Sequence, residues 1–180
     1  MQNIAQKGSR ITFDDILVGI NERIDGFGGY YFDEDGQLNV LIKKNKLENG
    51  LNVGSHEILK KFSPVHPQAI DRVRAKGRST VNYEPAEYEF KDLFQWRNKI
   101  RTIATNIEGM AFLDINEAKN RIVIGVENVE SERGSILNEL DKLNIPVEAV
   151  IIKQRWRLDI SDNSKPQDED NRFSTNERYC

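Results

Sequence analysis

Phe27-Gly28-Gly29-Tyr30-Tyr31-Phe32-Asp33, running into Leu38-Asn39-Val40-Leu41-Ile42, is the stretch that decides how this chain reads. It is written a second time as Gly109-Met110-Ala111-Phe112-Leu113-Asp114 running into Asn120-Arg121-Ile122-Val123-Ile124-Gly125-Val126. Each copy is a short apolar strand ending in Asp, a polar turn, and a second apolar strand, with a helical pattern before and after it. Repetition of one supersecondary unit points to duplication, and two copies are too few for a solenoid. The expectation is an α+β protein of two similar small lobes. Each lobe would be a three-stranded, mainly antiparallel sheet with helices packed on one face.

The pattern between the hairpins supports this. Thr12 opens a helix: its hydroxyl can cap, Asp15 stands three residues on, and Phe13, Ile16, Leu17, Ile20 and Ile24 form one stripe. Gly26 suits a helix stop. Residues 43–54 read as a loop holding Gly50 and Gly54. Ser55 then caps a helix with Ile58, Leu59 and Phe62, Pro64 ends it, and Pro67 starts another that stops near Gly77. Arg78 to Tyr83 reads as a strand. In the second half a helix near residues 87–104 leads to the second hairpin. Asn128 caps the next helix, Asn144 takes a left-handed position, Pro146 blocks continuation, and Val147 to Lys153 forms the last strand. The expected divisions are a flexible N-terminus at 1–11, a first lobe at 12–84, a second at 85–158 and a disordered polar tail at 159–180. The tail is too poor in apolar side chains to offset its ordering entropy.

Charge separates these parts. The 180 residues carry a formal net charge of -3. Beyond Leu158 stand Asp159, Asp162, Asp168, Glu169, Asp170 and Glu177 against Lys165, Arg172 and Arg178, so the tail holds the whole imbalance. A neutral body argues against a protein that grips phosphate backbone, and the basic runs Lys43, Lys44, Lys46 and Arg72, Arg74, Lys76, Arg78 read as solvated faces. No nucleic acid and no membrane partner is expected. The single cysteine, Cys180, cannot pair within the chain. The N-terminal stretch has no apolar run beyond Ile16 to Val18, so no leader is written here. A secreted or periplasmic location would require a leader already removed, and a cytoplasmic one would not.

Catalytic signals are weak. His56 and His66 lack a nearby Cys, a His-x-x-x-His spacing or a Gly-x-Ser-x-Gly phrase, so no metal, cofactor or catalytic residue is assigned. Asp33 and Asp114 take matching places in the two phrases. They could do acid–base work only by meeting in one cleft, and as strand-ending turn formers they need not meet.

The ordered phrases bear a family likeness. The chain resembles the pro-regions of bacterial chymotrypsin-like serine peptidases, the alpha-lytic protease and streptogrisin group. The likeness lies in Phe27 to Asp33 with Val40 and Ile42, in the helix start Tyr88-Glu89-Phe90-Lys91-Asp92-Leu93, in the hairpin Asp114 to Ile124 with Asn120, and in Asn144-Ile145-Pro146-Val147-Glu148-Ala149-Val150. Glu89 stands where the family pattern has Ser, and Asn144 where it has Gly. The resemblance implies a non-catalytic domain that acts as folding chaperone and inhibitor of a trypsin- or chymotrypsin-like peptidase domain, in cis or in trans. A longer precursor would then be a serine endopeptidase. Its implied contact is strand addition at the edge of the second lobe, with the following segment lying in the substrate cleft. The matching residues here are Val147, Ala149, Ile151, Lys153, Arg155, Trp156 and Arg157, with Trp156 between two arginines as the expected anchor. The alternative is a stand-alone adaptor or regulatory module that reuses the fold to bind another protein.

Overall fold

A computed structural model describes residues 12–48, 55–75 and 81–155. The expected frayed N-terminus, the polar tail, the loop glycines Gly50 and Gly54, the stop at Gly77 and the residues Trp156 and Arg157 lie outside the described residues.

The chain forms two three-stranded sheets. The first holds β1 (Phe27–Phe32), β2 (Leu38–Lys43) and β3 (Asn82–Ala86); the second holds β4 (Met110–Asn116), β5 (Arg121–Val126) and β6 (Val150–Gln154). In each, the hairpin strands pair antiparallel as expected, and the third strand runs parallel to the middle one, so the sheets are mixed. A helical connection between the second and third strands causes this, because a crossover of a dozen or more residues returns the chain to the same end of the sheet. The α+β class and the two similar lobes are therefore present.

The two hairpins share an irregularity that fixes how the repeats correspond. The register shifts between Phe27 and Gly29 in β1, and between Met110 and Phe112 in β4. Aligning those bulges sets Phe27 against Met110, Tyr30 against Leu113 and Phe32 against Ile115. It also sets Gly26 (φ 74°) against Gly109 (φ 61°), two turn glycines in the left-handed region that other residues avoid. Asp33 then corresponds to Asn116, and Asp114 to Tyr31. This corrects the sequence match, which was anchored on the wrong glycines. The turn functions agree with the new pairing. Asp33 Oδ1 accepts the Gln37 amide at 2.7 Å, and Asn116 Oδ1 accepts the Lys119 amide at 2.8 Å.

The helices begin where side chains can cap them. In α1 (Phe13–Asn21) Thr12 Oγ1 accepts the Asp15 amide at 3.2 Å, while Asp15 Oδ2 accepts the Thr12 amide at 2.8 Å. In α6 (Val129–Lys142) Asn128 Oδ1 accepts the amides of Glu130 and Ser131, and Asn144 at φ 53° ends the following turn. The first crossover contains α2 (Lys44–Glu48), a short helix in the segment expected to be loop, then α3 (Ser55–Phe62) and α4 (Pro67–Ala75). Before the second hairpin runs α5 (Phe90–Thr102). Of the strand expected over Arg78–Tyr83, residues 78–80 lie outside the described residues and the described strand runs over Asn82–Ala86; the last strand starts at Val150, after a 3-10 turn over Val147–Ala149.

One hydrophobic cluster runs through both units. Leu17 and Ile20 of α1, Tyr30, Val40 and Ile42 of the first sheet, Phe62 of α3, Phe90 and Leu93 of α5, Ile122 and Ile124 of the second sheet, and Ile136 and Leu140 of α6 are all buried. Aromatic rings meet edge-on at its centre: Tyr30 and Phe62 lie 5.3 Å apart, and Phe27 and Phe62 6.0 Å.

Polar groups fasten the units together where this cluster reaches the surface. Asn120, 2% exposed and at φ 52°, closes the β4–β5 turn. Its Nδ2 donates to the carbonyls of Gly28 (2.8 Å) and Tyr88 (2.9 Å), and its Oδ1 accepts the amides of Glu87 (3.0 Å) and Tyr88 (2.8 Å). Gly28 is needed beneath it: a Cβ there would lie 2.4 Å from Ala86 Cβ and 3.1 Å from Asn120 Nδ2. At the other joint Asn21, the last residue of α1, accepts the Lys91 amide at 2.8 Å and donates to Glu89 Oε2 at 3.3 Å. Glu89 itself makes no capping bond, so the start of α5 is capped from the other unit by Asn21. Arg97 of α5, 8% exposed, pairs with Asp14 of α1. Burial pushes the Asp14 carboxyl up, and the attraction of Arg97 does not fully offset it.

Candidate protein-binding face of the second sheet

The two sheets turn different chemistry outward. On β1 the alternation places Tyr30 and Phe32 inward and Tyr31 outward. Tyr31 Oη donates to Glu84 Oε1 at 2.8 Å; burial, with the Glu84 bond and charge behind it, pushes the phenol up to about 12. Beside it Asn82 Nδ2 donates to Asn39 Oδ1 at 3.1 Å, and Asn39 Nδ2 donates to the Gln37 carbonyl at 3.0 Å. This outer face is a hydrogen-bonded polar network with Asp33 and Glu84 among its members.

The second sheet is apolar and basic at the corresponding face. Phe112, Gly125 and Lys153 form one row across β4, β5 and β6; Asp114, Val123 and Ile151 form the next. Phe112 is one of two exposed large hydrophobic residues among those described, at 36%, and Val147 at 44% is the other. The ring of Phe112 lies over Gly125: a Cβ there would meet Phe112 Cδ1 at 2.1 Å and Arg155 Cγ at 3.1 Å. Glycine at 125 therefore lets an aromatic ring lie flat on the sheet, with the stem of Arg155 along the same spot. The Arg155 amide donates to the Val126 carbonyl at 2.7 Å and carries the parallel pairing one residue past β6. Because β6 ends the strand order, no strand pairs with its far edge among the described residues.

The predicted contact residues divide among these surroundings. Val147 is exposed in the turn before β6, Ile151 and Lys153 are half-buried on the outward face, and Arg155 is exposed. Ala149 is fully buried and presents no surface of its own, because the 3-10 turn breaks the alternation that placed it beside Val147 and Ile151. Trp156 and Arg157 lie outside the described residues. Sequence reasoning missed Phe112 as a surface residue. The available signal was Gly125 in the middle of an otherwise β-branched strand, which marks a close approach.

Asp33 and Asp114 belong to different sheets, Asp33 bonded into its own turn and Asp114 Oδ1 accepting the adjacent Ile115 amide at 2.9 Å. His66 packs against Phe13 and Tyr30, each 5.8 Å away between ring centres, and is the half-buried partner of Gln68. Lys46 pairs with Asp25, and Arg72 stacks over Phe32 at 4.2 Å, so part of each basic run is engaged within the molecule. No group of three or more His, Cys, Asp or Glu side chains is placed to hold a metal ion, and no helix is long and apolar enough to cross a membrane, both among the described residues. No protein-family model matches the chain, and no curated protein matches it either.

Proposed function

We propose that this chain binds another polypeptide through the edge and outward face of its second sheet, as a pro-region-like domain that assists the folding of a trypsin- or chymotrypsin-like serine peptidase and inhibits it. The observation that carries this reading is the far edge of β6, with Val147 exposed in the turn before it and Phe112 exposed on the outward face of the same sheet two strands away, the two exposed large hydrophobic residues among those described. An uncovered strand is a template for a further strand, and apolar neighbours give the added strand something to bury. The chain would act by differential binding. Each ~1.4 kcal/mol by which it favours the peptidase's folding transition state over the unfolded chain speeds folding about tenfold. The segment after β6, with Trp156, would lie in the substrate cleft and give the inhibition.

The experiment is a titration of the intact chain against bacterial peptidases of this class, reading both inhibition and the rate of refolding from denaturant. The expected result is saturable inhibition, weakened by Trp156→Ala and by Val147→Asp. Absence of both inhibition and refolding assistance by the intact chain overturns the proposal.

A further inference from the structure

The outward face of the second sheet has a complement within the same chain. Phe112 with Lys153 and Arg155 makes an aromatic patch with two cations along one side. The chain continues from that patch for another 25 residues, and the stretch from Asp159 onward, six acids against three bases, holds the protein's negative imbalance. Its densest acidic run, Asp168-Glu169-Asp170, is followed by Asn171, Arg172 and then the aromatic Phe173. We propose that this acidic-aromatic segment docks on the outward face of the second sheet, its carboxylates toward Lys153 and Arg155 and Phe173 toward Phe112, so that the chain shields its own binding face until a partner competes for it.

Reach and charge both favour this occupant. Phe112 and Arg155 meet over the same glycine, so the patch lies beside the point where the segment begins. About a dozen residues separate Arg155 from the acidic run, and a coil of that length spans ~20 Å. A tether this short keeps the segment at an effective concentration in the millimolar range, so contacts too weak to hold two separate molecules suffice. Exposed ion pairs are individually worth little, so the contact is reversible and sensitive to salt. The first sheet offers no such aromatic and basic row: its outer face is a bonded polar network that includes Asp33 and Glu84, whereas the second carries one acid, Asp114, in the row beside Phe112, so the docked carboxylates lie toward the Lys153 and Arg155 side. The regulatory consequence rests on the reading of this face as a partner surface; the docking itself does not.

Cys180 is the only cysteine and allows the test in the intact protein. A nitroxide attached there should broaden the amide resonances of Phe112, Gly125, Ile151 and Lys153 at low salt, well beyond those of Tyr31, Asn39 and Glu84. A tethered label reaches residues near Arg155 in any case, so the deciding quantity is the change on neutralising the acids. Asp168→Asn with Glu169→Gln and Asp170→Asn, or high salt, should restore those signals several-fold. The same broadening in the neutralised protein, or equal broadening on both sheets, overturns the proposal. Peptidase inhibition separates the two readings. Stronger inhibition by the neutralised protein supports both. A charge-dependent relaxation pattern with no peptidase binding by either form supports docking and removes the partner role. Peptidase binding with an unchanged relaxation pattern overturns docking alone.

Discussion

The two units of this chain agree inside and differ outside. Inward, Tyr30, Phe32, Leu38, Val40 and Ile42 of the first correspond to Leu113, Ile115, Ile122, Ile124 and Val126 of the second, with the bulge at the same place. Outward, Tyr31 corresponds to Asp114, Asn39 to Val123 and Leu41 to Gly125, and a bonded polar face becomes an apolar and basic one. The crossovers diverge as well: among the described residues the first carries the helices α2, α3 and α4, the second α6 and a 3-10 turn. Burial in the shared cluster constrains the inner set, because a change of volume or polarity there is costly. Within the sheets, the change from polar to apolar falls on the outward face.

The turns offer the sharpest contrast and the largest expected effect. Gly36 (φ 77°) closes the first hairpin two residues before β2, and Asn120 (φ 52°) the second immediately before β5. Only Asn120 reaches the other unit: of its four hydrogen bonds one goes to Gly28 of the first sheet and three go to Glu87 and Tyr88 in the connection between the units. Asn120→Ala should cost about 3 kcal/mol or more in urea unfolding, through stranded buried amides and carbonyls together with backbone strain. Asn120→Gly should recover only the strain, whereas Gly36→Asn should be nearly neutral. Equal losses at both turns would break the claim that the second turn alone locks the units.

The bulges come next. Ala111 in the second unit stands where the first has Gly28, yet Gly28→Ala should cost about 1–3 kcal/mol, because the added methyl meets the Ala86 and Tyr88 backbone region and the Asn120 clamp. Thermal melts of this variant alone and with Asn120→Ala should be non-additive. Gly125→Ala meets a ring that can swing away, so it should alter partner binding more than stability.

The helix caps differ in origin. α1 is capped by its own Thr12 and Asp15, and α5 by Asn21 across the interface. Asn21→Ala should lower stability by about 1 kcal/mol and increase amide exchange in the first turn of α5.

The smallest effect is on pH. Both histidines stand in the first unit, and burial holds the His66 imidazole below its ordinary value of 6.5, partly offset by its bond to Gln68. The unfolded chain therefore binds the proton more readily than the folded one. Stability should fall as pH drops through the unfolded pKa toward the lower folded one, and no further below it. Denaturation across that range should show a shallower slope in His66→Gln. An unchanged slope would assign the acid sensitivity elsewhere.

What was legible in the sequence was local. Capping residues lie within three positions of their partners, so Thr12 with Asp15 and Asn128 marked helix starts correctly. Asn144 and Pro146 marked a stop, and the Arg121–Val126 strand was read to the residue. What was not legible depended on contacts distant in sequence. The parallel return of β3 and β6, the capping of α5 by Asn21 and the clamp at Asn120 each join residues far apart in the chain, and periodicity carries no record of them. The repeat register failed for a related reason. Gly28 and Gly29 looked like the partners of Gly109, but the bulge register makes Gly26, with a similar φ, its counterpart. The contact residues came from the family likeness and its expected strand over Val147–Lys153; the structure has a 3-10 turn over Val147–Ala149, so Ala149 is buried, and Phe112 on another strand was missed.

The most direct measurement compares the two outer faces in one assay. The intact chain is titrated against an alpha-lytic- or streptogrisin-type peptidase domain, alongside Phe112→Asp and Tyr31→Phe. The account predicts inhibition by the intact chain, weakening of about tenfold or more for Phe112→Asp, a step worth roughly 1.4 kcal/mol, and little change for Tyr31→Phe. Inhibition equally sensitive to both faces, or none from the intact chain, would contradict it.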